Sequence, residues 1–342
     1  MMPDEQSAAP VKQEKLEAYR AAQRRGVEWL LRQLHDDGSL GKPEQGYHFY
    51  RAPWTFAVTG EMAAASAVCG WIRRHMLTSD GRIEGPYRLF DDAYAYRNSA
   101  LIVGAHMALQ YDLSYGLLPD LLSWRDPLSG GFANDRLPDG SKSDYMDLPY
   151  TCGPGFACLQ TGALEPARGV YRYLHALYEA QEELPQRFYY AWSRAGQAPI
   201  REFAAEQRTA YLVENQVDRP QRWTIGGIAA GFLCRLYLVE PREEYLALAR
   251  RYQAFSMSAT EHQFKYAQVC KSSWGSALLY QITGEAAYLH WTYRMGDWYV
   301  RTQQPEGHWY WPRYKTLGSH IEVTLEFVMH LDTLIAGLAS RP

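Results

Sequence analysis

Asp297-Trp298-Tyr299-Val300-Arg301-Thr302-Gln303-Gln304, followed by Glu306-Gly307-His308-Trp309, is the stretch from which the fold can be read. A helical run carries a Trp near its end and stops at an acidic residue and a glycine. The same order recurs at Trp29 with Asp37-Gly38-Ser39 and at Trp71 with Asp80-Gly81, and the Trp-to-Gly offset is nine or ten residues in all three. A degenerate copy places Trp124 ahead of Asp126-Pro127-Leu128-Ser129-Gly130-Gly131-Phe132. The Trp packs inward and the glycine supplies the left-handed backbone that ends a helix. Repetition on this scale marks an architecture of stacked helical units.

Between these stops lie segments apolar on nearly every face and rich in Gly, Ala and Ser, such as Ser99 to Leu109, Ile225 to Leu238 and Ser272 to Gly284. Such helices are buried, and their small residues allow close backbone approach. They alternate with amphipathic segments such as Pro166 to Glu183 and Ala286 to Gln303. The alternation predicts outer helices near 13–37, 62–77, 115–125, 164–184, 241–258 and 286–304. It predicts inner helices near 50–61, 93–111, 146–161, 222–239, 265–283 and 319–338. Six of each close a ring, so the expectation is one all-α, (α/α)6 toroid domain over 1–342 with a flexible tail over 1–12. The stretch 186–222 breaks the pattern. Arg187 to Trp192 and Thr209 to Val213 are β-branched and aromatic, which predicts a hairpin-bearing insertion over one mouth of the ring.

Composition narrows the function. A length of 342 residues with 47% hydrophobic and 21% charged residues supports a sizeable core. A net charge of −3 with dispersed Lys and Arg argues against nucleic acid. No secretory leader and no long apolar span is read, so the expectation is a cytoplasmic protein, monomer or homodimer, with a small-molecule substrate and no membrane partner. Five cysteines without a C-x-x-C pair signal neither a disulfide framework nor a zinc site, and no cofactor motif or metal set is read. The aromatic share of 14%, with 26 Tyr and 11 Trp, exceeds what a helical core requires and points to an aromatic-lined pocket.

The repeats Trp29-Leu30-Leu31-Arg32-Gln33 with Asp37-Gly38-Ser39-Leu40-Gly41, and Asp297 to Gln304 with Glu306 to Trp309, resemble those of the terpenoid cyclase and prenyltransferase toroid superfamily, squalene-hopene-type cyclases included. That resemblance implies the toroid and a cyclase of natural-product metabolism. Two departures accompany it. The D-x-D-D acid motif is absent, the nearest arrangement being Asp144-Tyr145-Met146-Asp147, and the D-D-x-x-D magnesium motif is incomplete at Asp91-Asp92-Ala93-Tyr94-Ala95. A competing resemblance, carried by Asp126-Pro127 through Phe132, is to sugar-handling toroids such as the N-acylglucosamine epimerases.

In such a ring the site gathers at the mouth where the inner helices begin. The candidates for binding are Arg51 and Trp54 on the first inner helix, Tyr94 and Arg97 on the second, and Tyr150 on the third. Trp223, Tyr266, Lys271 and Trp274 follow on the fourth and fifth. The candidates for catalysis are Asp144, Asp147, His320 and Glu322; Glu326, one helical turn beyond Glu322 on the same face, is a further candidate for binding. Each has a plain alternative: Asp147 before Leu148-Pro149 is a good N-cap, and Arg51 and Arg97 can pair with Asp91 and Asp92. Lys271 on an apolar helix must reach the mouth or meet a carboxylate.

Two functions compete, with a non-catalytic toroid as a minor third. In the favoured one, a metal-independent cyclase folds a polyene, polyketide or isoprenoid, by acid or as a pericyclic entropy trap, against Trp54, Tyr94, Tyr150, Trp223 and Trp274. In the other, a carbohydrate epimerase or hydrolase uses Asp147 with Glu322, or His262 with His320, for proton transfer. Pocket polarity discriminates: an apolar, aromatic lumen favours cyclisation and a charged one favours sugar.

Overall fold

The computed structural model describes residues 5–45, 49–84, 93–137, 139–312 and 315–341. Asp91 and Asp92 lie outside them. The outer helices are α1 (Glu5–Leu31), α3 (Met62–His75), α5 (Tyr111–Ser123), α7 (Leu164–Glu179), α9 (Glu243–Met257) and α11 (Ala286–Thr302). Alternating with them, the inner helices are α2 (Ala52–Val58), α4 (Tyr94–Met107), α6 (Leu148–Thr161), α8 (Ile225–Val239), α10 (Lys271–Thr283) and α12 (Leu317–Ala339). Inner helices pack in the order α2, α4, α6, α8, α10, α12 and back to α2, so the ring is closed. This is the (α/α)6 toroid that the alternation predicts. Residues 5–12, assigned to a tail from composition, belong to α1.

Small residues set the inner ring's diameter. A Cβ on Gly104 of α4 would stand 2.2 Å from the backbone nitrogen of Trp54 on α2, and one on Gly227 of α8 would stand 2.3 Å from the Lys271 carbonyl oxygen. Each repeated stop is a small bridged turn: Leu34 with Leu40, Leu77 with Ile83, Arg125 with Phe132 and Gln303 with Trp309. Its glycine has positive φ, +85° at Gly38, +76° at Gly81, +85° at Gly130 and +104° at Gly307.

The insertion carries two small sheets. β1 (Tyr145–Asp147), immediately before α6, pairs antiparallel with β3 (Ala191–Ser193), which pairs with β4 (Ala198–Pro199). β2 (Arg187–Tyr189) pairs with β5 (Leu212–Glu214). Tyr145 donates to the Ala210 carbonyl at 2.5 Å and Tyr190 to that of Thr209, tying the segment down at the mouth. No helix among the described residues is long and apolar enough to cross a membrane.

Candidate active site

A cavity of about 470 Å³ opens where the inner helices begin, between them and the insertion. It is lined by Tyr50, Arg51 and Glu322 on one side, and by Lys271 and Glu326 at its base. Arg97, Tyr96 and Tyr150 come from α4 and α6, and Thr209, Ala210, Gln221 and Arg222 come from the insertion. Arg51, Arg97, Arg222 and Lys271 sit within about a turn of the starts of α2, α4, α8 and α10. A cation there faces the positive end of the helix dipole, so the local preference is overridden four times at one mouth.

Arg51 is 3% exposed. Its Nη2 donates to the Tyr50 hydroxyl at 2.9 Å and lies 4.0 Å from Glu322, and its Nη1 lies 3.5 Å from Glu326 Oε1. Tyr50 in turn donates to Glu322 Oε1. The Lys271 ammonium meets the same Glu326 Oε1. Burial lowers the Lys271 pKa to about 8, with Arg51 acting in the same direction. Beneath them His330 Nε2 is 3.7 Å from Glu326 Oε1, and burial and the cations hold its pKa well below the usual range, so it is neutral. Across the cavity Arg222 lies over the Tyr150 ring at 5.4 Å and reaches Asp147 at 3.4 Å.

Cys270, Glu326 and His330 have donor atoms within 4.8 Å of one another, the one such set among the described residues. Lys271 and Arg51 already supply positive charge to Glu326, so the carboxylate is served without an ion.

Of the residues singled out from the sequence, Arg51, Arg97, Tyr150, Tyr266, Lys271, Glu322 and Glu326 line the cavity. The others do not. Asp147 is fully buried and caps α6 by accepting from the Tyr150 N–H at 2.8 Å, with further bonds from Asn134 at 3.1 Å and Tyr145 at 3.3 Å. Its plain alternative as a cap therefore describes it. Asp144 is exposed on the hairpin, held by Ser193 and the Ala195 N–H. His320 packs against the His308 and Tyr310 rings, and His262 against Tyr266, so among the described residues no pair of opposed histidines lines the cavity. Tyr94 packs on Trp124 and its hydroxyl accepts from the Ile83 N–H, while Trp223 is buried off the cavity.

The aromatic wall is also displaced. Trp54 and Trp274 pack against each other at 5.6 Å and against Phe156 at 6.2 and 4.7 Å, filling the lumen beneath the charged layer instead of lining it. Arg222, Gln221, Thr209 and Gln268 were missed. A signal for Arg222 existed, since it stands just ahead of α8 as Arg51 stands just ahead of α2; for Thr209 and Gln221 only the insertion's path decides, and Gln268 lies just ahead of α10.

The arrangement defines a class: an α/α toroid whose mouth holds a charged, hydroxyl-rich cavity. No protein-family model and no curated protein matches the chain. Solved structures do. A D-mannose isomerase is similar with a TM-score of 0.68 at 14% identity, over 93% of this chain and 97% of that one. A family 76 glycoside hydrolase from a bovine Bacteroides thetaiotaomicron strain reaches 0.64 at 12%, over 93% and 78%. The type II terpene cyclase MstE from Scytonema, in complex with its product merosterolic acid A, reaches 0.62 at 13%, over 95% and 99%. At these identities the likeness establishes the toroid fold alone, and both resemblances read from the repeats have counterparts among the neighbours.

Proposed function

We propose that the chain is an enzyme that moves a proton on a small hydroxylated substrate bearing a carbonyl and an anionic group, a sugar acid or comparable polyol acid, in the manner of a sugar isomerase or epimerase. The cavity wall carries this reading. Among the described residues no Leu, Ile, Val, Met, Phe or Trp lines it; six lining side chains are charged and eight are Tyr, Thr or Gln. A polyene gains its binding energy by burying hydrocarbon, about 0.8 kcal/mol per CH₂, and stripping water from guanidinium and carboxylate groups against hydrocarbon works against that gain. Hydroxyls and a carboxylate meet the same groups as hydrogen-bond partners.

Among the described lining residues, four cations against two carboxylates suit an anionic substrate. Tyr50 with Glu322, and Lys271 with Glu326, are two acid–base couples on one wall, and Arg51 stands between them to hold the negative charge of an enediolate. The discriminator stated from the sequence thus falls on the side of the sugar reading. The cyclase reading keeps its likeness to MstE and the Trp54, Phe156 and Trp274 layer, but that layer is packed against itself.

The test is proton NMR in D₂O on a panel of hexuronates, aldoses and ketoses with the purified protein, run beside mass spectrometry on prenylated aryl acids. Exchange of the hydrogen next to the carbonyl and appearance of an isomer are expected. Glu326→Gln is expected to slow both by roughly 10²- to 10⁴-fold, the usual worth of a general acid–base group. Cyclisation of a prenylated substrate with no exchange in any sugar acid would sink the proposal.

A further inference from the structure

We propose that Lys271 is a catalytic nucleophile that captures the carbonyl carbon of the substrate as an imine, which restricts the substrate to an open-chain aldehyde or ketone with a neighbouring anionic group. This rests on the sugar-acid reading and adds a covalent step to it.

Lys271 and Arg51 share one carboxylate, which leaves surplus positive charge at the pair. Lys271 is 5% exposed, lines the cavity and is the first residue of α10, so its amine sits at the positive end of a helix. Its counter-ion is shared: Glu326 Oε1 also has Arg51 at 3.5 Å, and an arginine does not deprotonate. When Lys271 gives up its proton, Glu326 keeps a partner. The groups facing the amine are Arg51, then Glu322, Glu326 and the neutral His330 on α12, and Cys270 beside it, whose thiol burial keeps protonated. Burial and the surrounding cations keep His330 neutral, so it adds no fixed charge below the pair.

In the step, the Lys271 ammonium first passes a proton to Glu326. The Nζ lone pair then attacks the carbonyl carbon, the π pair moves to oxygen, and the oxygen takes that proton from Glu326. Glu326 takes one proton back from the nitrogen to leave the neutral carbinolamine. The carbinolamine then loses water as the second nitrogen proton passes back through Glu326. The sum is R₂C=O plus Lys–NH₂ giving R₂C=N–Lys plus H₂O, with no change of oxidation state. Protonated, the imine acidifies the adjacent C–H for removal by Glu322 or Glu326. Reprotonation and hydrolysis return product and free lysine.

The experiment incubates the whole protein with sodium cyanoborohydride and either D-glucuronate or pyruvate at pH 7, and maps adducts by peptide mass spectrometry. One adduct is expected, on Lys271, heavier by the carbonyl compound less one oxygen. It should form about 300-fold faster than on surface lysines, the ratio of free amine for a pKa of about 8 against the ordinary 10.5. Lys271→Arg keeps the cation beside Glu326; with its fold checked by circular dichroism, it is expected to lose the adduct and at least 100-fold of turnover. Labelling spread evenly over the lysines, or Lys271→Arg turning over at the wild-type rate, overturns the proposal. Deuterium exchange in the wild type without any trapped adduct overturns the imine and leaves the sugar-acid reading standing. An adduct with pyruvate but no exchange in any sugar acid supports the lysine and overturns that substrate class.

Discussion

Lys271 is where sequence and structure make the same demand. A lysine opening an otherwise apolar inner helix has to find water or a carboxylate, and it finds Glu326 while lining the cavity. Its pKa of about 8 sets a pH dependence. The reactive form is the free amine, so the rate of reductive trapping at Lys271 should rise about tenfold per pH unit below 8 and level off above it, whereas surface lysines keep rising toward 10.5. A pH series of adduct yield reads this directly, and a flat profile between 6 and 9 would contradict it. Asp147 makes the opposite point: its type and surroundings fitted an acid and a cap equally well in the sequence, and only its complete burial beneath Arg222 separates the two.

Among the elements, the acidic-Gly turns do more than end helices. A Cβ added to Gly38 would stand 2.2 Å from the Ala67 carbonyl oxygen on α3, one on Gly130 would stand 2.2 Å from that of Gly169 on α7, and one on Gly307 would stand 2.4 Å from that of Arg25 on α1. Each turn therefore seats its loop on the next outer helix round the ring, and glycine is required twice over, for its positive φ and for the contact. Gly307→Ala should cost about 2 kcal/mol or more, seen as a lower urea midpoint at unchanged slope. A loss within a few tenths would show that the contact yields. The insertion's strand content and its place over one mouth are legible in the sequence; that Thr209, Gln221 and Arg222 in particular line the cavity is not, since the segment is held there by Tyr145 and Tyr190 at the carbonyls of Ala210 and Thr209 and by the pairing of β2 with β5.

For the molecule as a whole, closure falls to the two ends of the chain. α1 packs on α11 and α12, with Tyr19 buried and donating to Asp297 at 2.8 Å, and Lys15 paired with the same carboxylate at 2.8 Å. Tyr19→Ala empties a large buried site at this seam and should cost about 3–5 kcal/mol, typical of a buried aromatic removed from a core. Urea unfolding checks it, and a change below 1 kcal/mol would mean that the seam does not hold the ring. The sequence by itself determined the helix count, the alternation of inner and outer helices, the repeated turns and the mouth where charged residues gather, because each is a local pattern of 3.6-residue periodicity and turn chemistry. Only the tertiary structure decided that Trp54 and Trp274 fill the lumen while the charges line the opening. Which side chains converge on a ring axis depends on helix rotation and on contacts between segments far apart in the chain, and no local pattern records either.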